Sequence, residues 1–264
     1  MTTPSSHPAI ARLRTDPRSN PLVASHRGDS RHHPENTLAS FQAATDLGVA
    51  LQEFDVRQLS CGELVCVHDA SFDRTSNAKE ALGPGALVAQ MNWATASQLD
   101  VGSWHPQGNA SERVPTLAQA LDAMLPTCVP LIEHKAGSAS RYVEFLRQSN
   151  RTDQVILQSF DWHFLGDVHQ RAPEIAIGAL GPNHMFPCPS EDAIAFAQAF
   201  GAELIHWRAR DLTTADVERI HEAGLLVCTY TTDDELGWLG GRAMGIDAMC
   251  TNDPLAMMNV LWHD

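Results

Sequence analysis

Residues 129–179 read VPLIEHKAGSASRYVEFLRQSNRTDQVILQSFDWHFLGDVHQRAPEIAIGA. Short apolar runs of strand length at 129–133, 154–158 and 175–179 alternate with longer segments of helical period at 138–150 and 162–171. A strand that returns to its neighbour through a helix is the repeating unit of a parallel sheet. The same rhythm extends in both directions. Strands are expected at 22–26, 50–55, 203–206, 225–229 and 246–250, and amphipathic helices at 36–48, 116–125, 190–200, 213–223 and 233–242, with a last helix from Pro254 to the end. Several of these helices open on Ser, Thr or Asp, whose side chains cap the free N–H groups of a first turn. Eight strands alternating with helices fit an α/β fold of the (β/α)8 TIM-barrel kind. An open doubly wound sheet is the alternative.

One strand-like run, Leu64 to Val67, lies too close to Asp55 for a helical crossover and is read as a hairpin outside the barrel. The stretch from Ala70 to Glu112 is then an insertion between the second and third barrel strands, and such insertions at a rim commonly shape a site. Residues 1–20, with Pro4, Pro8, Pro17 and a short apolar patch at Ile10 and Leu13, read as a partly ordered lead-in. The 264 residues are expected to form a single barrel domain, since such barrels commonly run to about this length.

With 18 basic against 32 acidic side chains the net charge is −14, which argues against nucleic acid or an anionic membrane as partner. A phosphate ligand would need a local positive site. The chain has no long apolar run and no basic-then-apolar start, so neither insertion in a membrane nor export is expected, and a cytoplasmic location is inferred. Cys61, Cys66, Cys128, Cys188, Cys228 and Cys250 form no metal-type spacing and are read as free thiols, several within apolar runs.

Four polar clusters fall at the C-terminal ends of early strands: Ser25-His26-Arg27-Gly28, Glu53-Phe54-Asp55, Val67-His68-Asp69 and Ile132-Glu133-His134-Lys135. In a barrel these ends share one mouth. Glu53 and Asp55, two apart on a strand, point to the same side, and Glu133 from the next strand can supply a third carboxylate. Three carboxylates form a hard oxygen site suited to one divalent cation, Mg²⁺ or Ca²⁺. His26 and His68 are candidates for acid and base. Arg27 and Lys135 supply fixed positive charge for a phosphate. Glu35 is read as a partner orienting Arg27 or the metal shell, and Asn36 either as the cap of the following helix or as a metal contact. His134, of opposite parity to its neighbours, should point away from the pocket.

In this order and spacing, the residues resemble the glycerophosphodiester phosphodiesterase family. The resemblance is carried by His26-Arg27-Gly28, Pro34-Glu35-Asn36-Thr37, Glu53-Phe54-Asp55, Gly62-Glu63-Leu64-Val65, His68-Asp69, Arg74-Thr75, Val114-Pro115-Thr116-Leu117, Glu133 with Lys135, Gln158-Ser159-Phe160 and Thr251 to Pro254. It runs from His26 to about Pro254. What it implies is a somewhat distorted barrel, a divalent metal on Glu53, Asp55 and Glu133, His26 and His68 as acid and base, and Arg27 and Lys135 on the phosphate. The activity implied is hydrolysis of a small glycerophosphodiester to glycerol 3-phosphate and an alcohol; the headgroup and a homodimeric state are left open.

The chain departs from the family pattern at Thr229-Tyr230-Thr231-Thr232, where Tyr230 is expected to form an aromatic wall. Two other functions are weighed. One is phospholipase D-like cleavage of lysophospholipid or sphingolipid headgroups, and the other is a non-catalytic barrel acting as a binding module. No motif points to a Ser or Cys nucleophile, so the attacking group is expected to come from water or from the substrate's own glycerol hydroxyl, through a cyclic phosphate.

Overall fold

The computed structural model describes residues 7–16, 21–108 and 110–262. Nine strands run β1 (Leu22–His26), β2 (Leu51–Gln58), β3 (Leu64–Cys66), β4 (Val129–His134), β5 (Ile156–Ser159), β6 (Ala176–Gly181), β7 (Ala202–Arg208), β8 (Leu226–Tyr230) and β9 (Ala248–Thr251). Eight of them form a closed parallel barrel. Its seam is the pairing of β1 with both β2 and β9, which sets His26 opposite Glu53 and Ala24 opposite Cys250. β3 stands outside, antiparallel to the end of β2 with Val56 opposite Cys66, as the short connection requires.

Alternation along the strands explains both core and mouth. Val23, Phe54, Ile132, Leu157, Ile177, Ile205, Val227 and Met249 face the helices and form the outer core. Their neighbours Leu22, Ala24, Leu51, Leu131, Ile156, Ala176, Leu204, Leu226 and Ala248 face inward and fill the lower barrel. Continuing that inward set by steps of two reaches His26, Glu53, Asp55, Glu133, Gln158, His206 and Tyr230. The same face thus turns from apolar to ionisable at the C-terminal ends.

The helices are α1 (Pro8–Arg14), α2 (Leu38–Leu47), α3 (Ala78–Leu82), α4 (Trp93–Ala96), α5 (Leu117–Met124), α6 (Ala139–Gln148), α7 (Trp162–Arg171), α8 (Glu191–Ala199), α9 (Thr214–Glu222), α10 (Glu235–Ala243) and α11 (Pro254–Trp262). Thr37 with Ser40, Thr116 with Gln119 and Thr213 with Asp216 make reciprocal capping boxes. Ser138, Asp161, Ser190 and Asp234 cap four more. In α6 the buried residues Ala139, Tyr142, Val143 and Leu146 form the stripe that packs on the barrel.

The lead-in holds more order than its composition suggests. α1 inserts Ala9, Ile10 and Leu13 into the inner core at the lower end of the barrel. Its polar side chains reach backbone carbonyls of the surrounding loops: His7 Nε2 lies 3.1 Å from those of Thr152 and Glu174, Arg12 bonds Pro126 at 2.8 Å and also Thr127, and Arg14 bonds Gly224 at 2.6 Å. The rest of the lead-in, 1–6 and 17–20, lies outside the described residues.

The segment between β3 and β4 carries α3, α4 and a small core of its own, with Val67, Phe72, Val88, Leu99, Val101 and Val114 packed on Leu59 and Val65. Of the six free thiols, Cys66, Cys128, Cys228 and Cys250 are buried, whereas Cys61 and Cys188 are exposed. Both exposed ones lie in connections, Cys61 at the β2–β3 turn and Cys188 before α8. Among the described residues no helix is long and apolar enough to cross a membrane.

Candidate active site

Glu53, Asp55 and Glu133 converge at the mouth, each offering a carboxylate oxygen, and these oxygens all lie within 4.8 Å of one another. The register of β2 against β4, which sets Asp55 opposite Glu133, brings them together. All three are buried. Burial works to raise the Asp55 carboxyl, but Arg27, Lys135 and the hydrogen bond from Asn36 outweigh it and hold it down to about 2. Glu53 moves the other way, pushed well above the usual carboxylate range by burial and by the neighbouring Asp55 and Glu133. Burial and Asp55 likewise push Glu133 up to about 7. Both oxygens of Glu53 are buried without a hydrogen-bond partner. A hard divalent cation satisfies such oxygens and removes the repulsion that raises these two carboxyls, so the donor set fits one.

The predicted cations stand beside this cluster. Arg27 Nε lies 3.1 Å from Asp55 Oδ2 and its Nη1 bonds Glu35 Oε1 at 2.9 Å. Lys135 Nζ lies 2.5 Å from Glu133 and 3.3 Å from Asp55 Oδ1, with the Phe160 ring 5.8 Å away. Arg27 takes a left-handed backbone at φ 59°, held by Arg27 N–H to the Glu53 carbonyl at 2.7 Å and by Asn36 N–H to the Arg27 carbonyl at 3.1 Å. The next residue must be glycine. A Cβ on Gly28 would lie 2.6 Å from the Ser40 carbonyl carbon, at φ +82°.

The two histidines are oriented from behind. His26 Nδ1 lies 2.7 Å from Asn252 Oδ1, and the amide's orientation is fixed because Asn252 Nδ2 donates to Asp233 at 2.6 Å. Nδ1 therefore carries the proton, and Nε2, 3.9 Å from Glu53 Oε2, presents its lone pair to the mouth. Burial and Arg27 push this imidazole down to about 4. His68 Nδ1 pairs with Asp69 at 2.6 Å, leaving its Nε2 for the site in the same way. Burial lowers its basicity too. Arg74 bonds Asp69 at 2.6 Å and grips both oxygens of Glu35, at 2.9 and 2.7 Å. A continuous chain thus runs from His68 through Asp69, Arg74 and Glu35 to Arg27.

Asn36 is not the cap of the following helix. The cap of α2 is Thr37, and both amide atoms of Asn36 are taken by Asp55: Nδ2 donates to Oδ2 at 2.9 Å, and Oδ1 accepts from the Asp55 N–H at 3.1 Å. With φ 57° it sits in the left-handed region that asparagine tolerates. Tyr230 lines the mouth, its hydroxyl donating to the Gly181 carbonyl at 2.8 Å. His134 points outward, stacked on Phe164 with ring centroids 3.5 Å apart.

A cavity of about 290 Å³ is enclosed by His26, Arg27, Glu53, His68, Glu133, Lys135, Phe160 and Tyr230, with Gln158 and His206 also lining it. Tyr230 and Thr231 also line a larger cavity of about 600 Å³ that reaches under α10. Asn252, Asp69, Arg74, Gln158 and His206 were not singled out as site residues. For Asn252, Gln158 and His206 the available signal was parity, since each continues the inward face of its strand.

Comparison with known proteins agrees with this geometry. Residues 26–256 match the model of the glycerophosphoryl diester phosphodiesterase family. A glycerophosphodiester phosphodiesterase of Caldanaerobacter subterraneus is 28% identical over 235 residues, covering 86% of this chain and 92% of its own. One from Bacillus subtilis is 27% identical over 244 residues, covering 84% and 80%. Among solved structures, an Oleispira antarctica phosphodiesterase in complex with the product sn-glycerol-3-phosphate aligns with a TM-score of 0.82 at 27% identity, covering 91% of this chain and 96% of that one. The glycerophosphodiester phosphodiesterase of Agrobacterium tumefaciens shares the fold, with a TM-score of 0.78 at 23% identity over 90% and 99% of the two chains. The match spans the barrel from His26 at the end of its first strand to the start of its last helix, and the chain therefore belongs to the glycerophosphoryl diester phosphodiesterase family.

Proposed function

We propose that this chain hydrolyses glycerophosphodiesters to glycerol 3-phosphate and an alcohol, using one divalent cation, Mg²⁺ or Ca²⁺, held by Glu53, Asp55 and Glu133. The observation that carries this reading is the pair of imidazoles, each anchored through Nδ1, facing one cavity beside buried carboxylates with unpartnered oxygens. The product named for the Oleispira relative supports the glycerol half of the assignment. When bound, the cation supplies positive charge to the phosphate oxygens and acidifies a neighbouring hydroxyl.

The chain's own residues do the rest. Arg27 and Lys135 orient the phosphate by charge and hydrogen bonding and supply the local positive charge that a chain of net charge −14 otherwise lacks. One imidazole takes the proton of the glycerol C2 hydroxyl as its oxygen attacks phosphorus. The other enters this step as imidazolium, protonated on both nitrogens, and gives its Nε2 proton to the departing alcohol oxygen as the bond to phosphorus breaks. Water then adds to the resulting 1,2-cyclic phosphate and reopens the C2 bond with the histidine roles exchanged, which restores both proton inventories. Attack by a hydroxyl already tethered beside the phosphate avoids the entropic cost of positioning a water.

Free cysteines suit a reducing compartment, and on that ground we assign the enzyme to the cytoplasm. Turnover of a panel of glycerophospho-alcohols, with and without chelator, tests the reading. Release of glycerol 3-phosphate that stops in chelator is expected. A C2-deoxy substrate should be almost inert, and phosphorus NMR should catch the cyclic species. Inactivity on every member of the panel in Mg²⁺ and in Ca²⁺ would overturn the assignment.

A further inference from the structure

On the wall of the mouth away from β1 and β2, Gln158 of β5 and His206 of β7 meet across β6. Gln158 is in register with Gly178 of β6 and His206 with Leu180, one inward step further on, and the missing side chain at Gly178, whose Cβ would press to 3.3 Å on both Gln158 and Leu204, leaves room for the Gln158 side chain to cross towards His206. His206 Nδ1 lies 2.7 Å from Gln158 Oε1. Both residues are essentially fully buried and both line the catalytic cavity. Yet His206 Nε2 and Gln158 Nε2 have no hydrogen-bond partner. Burial, only partly offset by the Thr229 backbone, pushes the imidazole's pKa down to about 3, so the ring is neutral near pH 7.

A neutral imidazole and a carboxamide that share one hydrogen bond leave two unpartnered atoms, one able to donate and the other to accept, whichever way the amide is turned. If Nδ1 donates, the amide NH₂ and a ring lone pair remain; if the amide donates, a carbonyl oxygen and a ring N–H remain. A ligand group that donates and accepts at one atom satisfies both, and an alcohol hydroxyl is such a group. A phosphate oxygen only accepts and a quaternary ammonium has no N–H to give, so neither fits. On the reading above the phosphate and C2 hydroxyl are engaged by Arg27, Lys135 and the catalytic imidazoles, so neither is left for this pair, which adjoins them through the register of Glu133 with Gln158.

We propose that Gln158 and His206 bind the terminal, non-reacting hydroxyl of the substrate's glycerol, and that this pair selects glycerol over shorter or deoxygenated alcohols. The inference rests on the glycerophosphodiesterase reading above. A site built to hydrogen-bond a hydroxyl rejects the analogue lacking it, because its own buried polar groups are left unpaired.

The test compares glycerophosphocholine with its analogue lacking only the terminal hydroxyl, on the wild type and on Gln158→Leu. Wild-type kcat/KM should fall at least about thirtyfold for the analogue, the penalty for stranding buried polar groups. In Gln158→Leu the two substrates should differ by less than about threefold. If that variant does not fold, His206→Gln serves the same comparison. A wild-type ratio below about threefold, as a resident water would give, overturns the inference while leaving the assigned activity intact. A variant that keeps the wild-type ratio overturns it as well. Failure to cleave glycerophosphocholine or any other glycerophosphodiester would instead indict the reading on which it rests.

Discussion

Asn252, on the last turn of the barrel, receives the Nδ1 proton of His26 at 2.7 Å, although 226 positions separate the two residues. Asp233 and Ser30 hold the same amide, at 2.6 and 2.9 Å, so the ring's tautomer is set from outside the cavity. Asn252→Leu should lower kcat by about ten- to a hundredfold, as loss of such an orienting partner typically does, with little change in KM. Asn252→Asp keeps an acceptor but adds negative charge, so it should retain more activity and move the acid limb of the kcat profile to higher pH. Identical pH profiles for wild type and Asn252→Asp would refute this role.

Loading of the carboxylate cluster can be followed without turnover. A divalent ion that binds only the folded protein raises its melting temperature, by an amount that grows with the logarithm of the ion concentration above Kd. Mg²⁺ or Ca²⁺ should therefore stabilise the chelator-treated wild type, with no effect on Glu53→Gln, and activity should disappear in chelator and return with the ion. A cation-dependent thermal shift that persists undiminished in Glu53→Gln would remove that residue from the ligand set.

Arg74 reaches the site only through Asp69 and Glu35, and its hydrogen bonds to them hold both carboxyls below their usual range. Its planar fork engages two carboxylates at once, which a lysine cannot copy. Arg74→Lys should lose nearly as much kcat as Arg74→Ala, on the order of tenfold or more, the usual cost of disturbing a supporting contact. Substitution by lysine with full activity would show that charge alone is enough there.

His134 gives a pH dependence free of the active site. Burial pushes its imidazole down to about 4 from the ordinary 6.5. Between these values the unfolded chain takes up a proton that the folded one refuses. The stability it contributes is thus present above about 6.5 and lost as pH falls towards about 4. In urea melts, the advantage of wild type over His134→Gln should shrink as pH drops through this window. An advantage that stays constant from neutral pH to pH 4.5 would contradict the assignment.

Much of this architecture was legible because it follows from period. Strand alternation sends Glu53 and Asp55 to one side and His134 to the other. What escaped depended on conformation or on distance along the chain. Asn36 read as a helix cap because asparagine favours that position; in the folded chain Thr37 takes the cap with Ser40, and a left-handed backbone turns Asn36 onto Asp55. β2 runs on to Gln58, beyond its apolar run, because β3 pairs with its end. Cys61 and Cys188 lie in the open because a cysteine's burial follows its element, and both fall in connections. The partners of His26 and His206 come from strands far along the sequence, which no local pattern encodes.

The helix α1 has a consequence for the order of folding. Its seven residues are too few to hold a helix alone in water. The surface on which Ile10 and Leu13 rest includes Leu204, Leu226 and Ala248, which do not come together until the closing strands have paired. Made ahead of every barrel strand, α1 must therefore wait for nearly the whole barrel before it can dock. Once seated, its arginines tie down carbonyls after α5 and α9, so its docking reports completion of the ring rather than its initiation. A fluorophore placed on α1 would accordingly respond in the last phase of refolding, after the strands have joined.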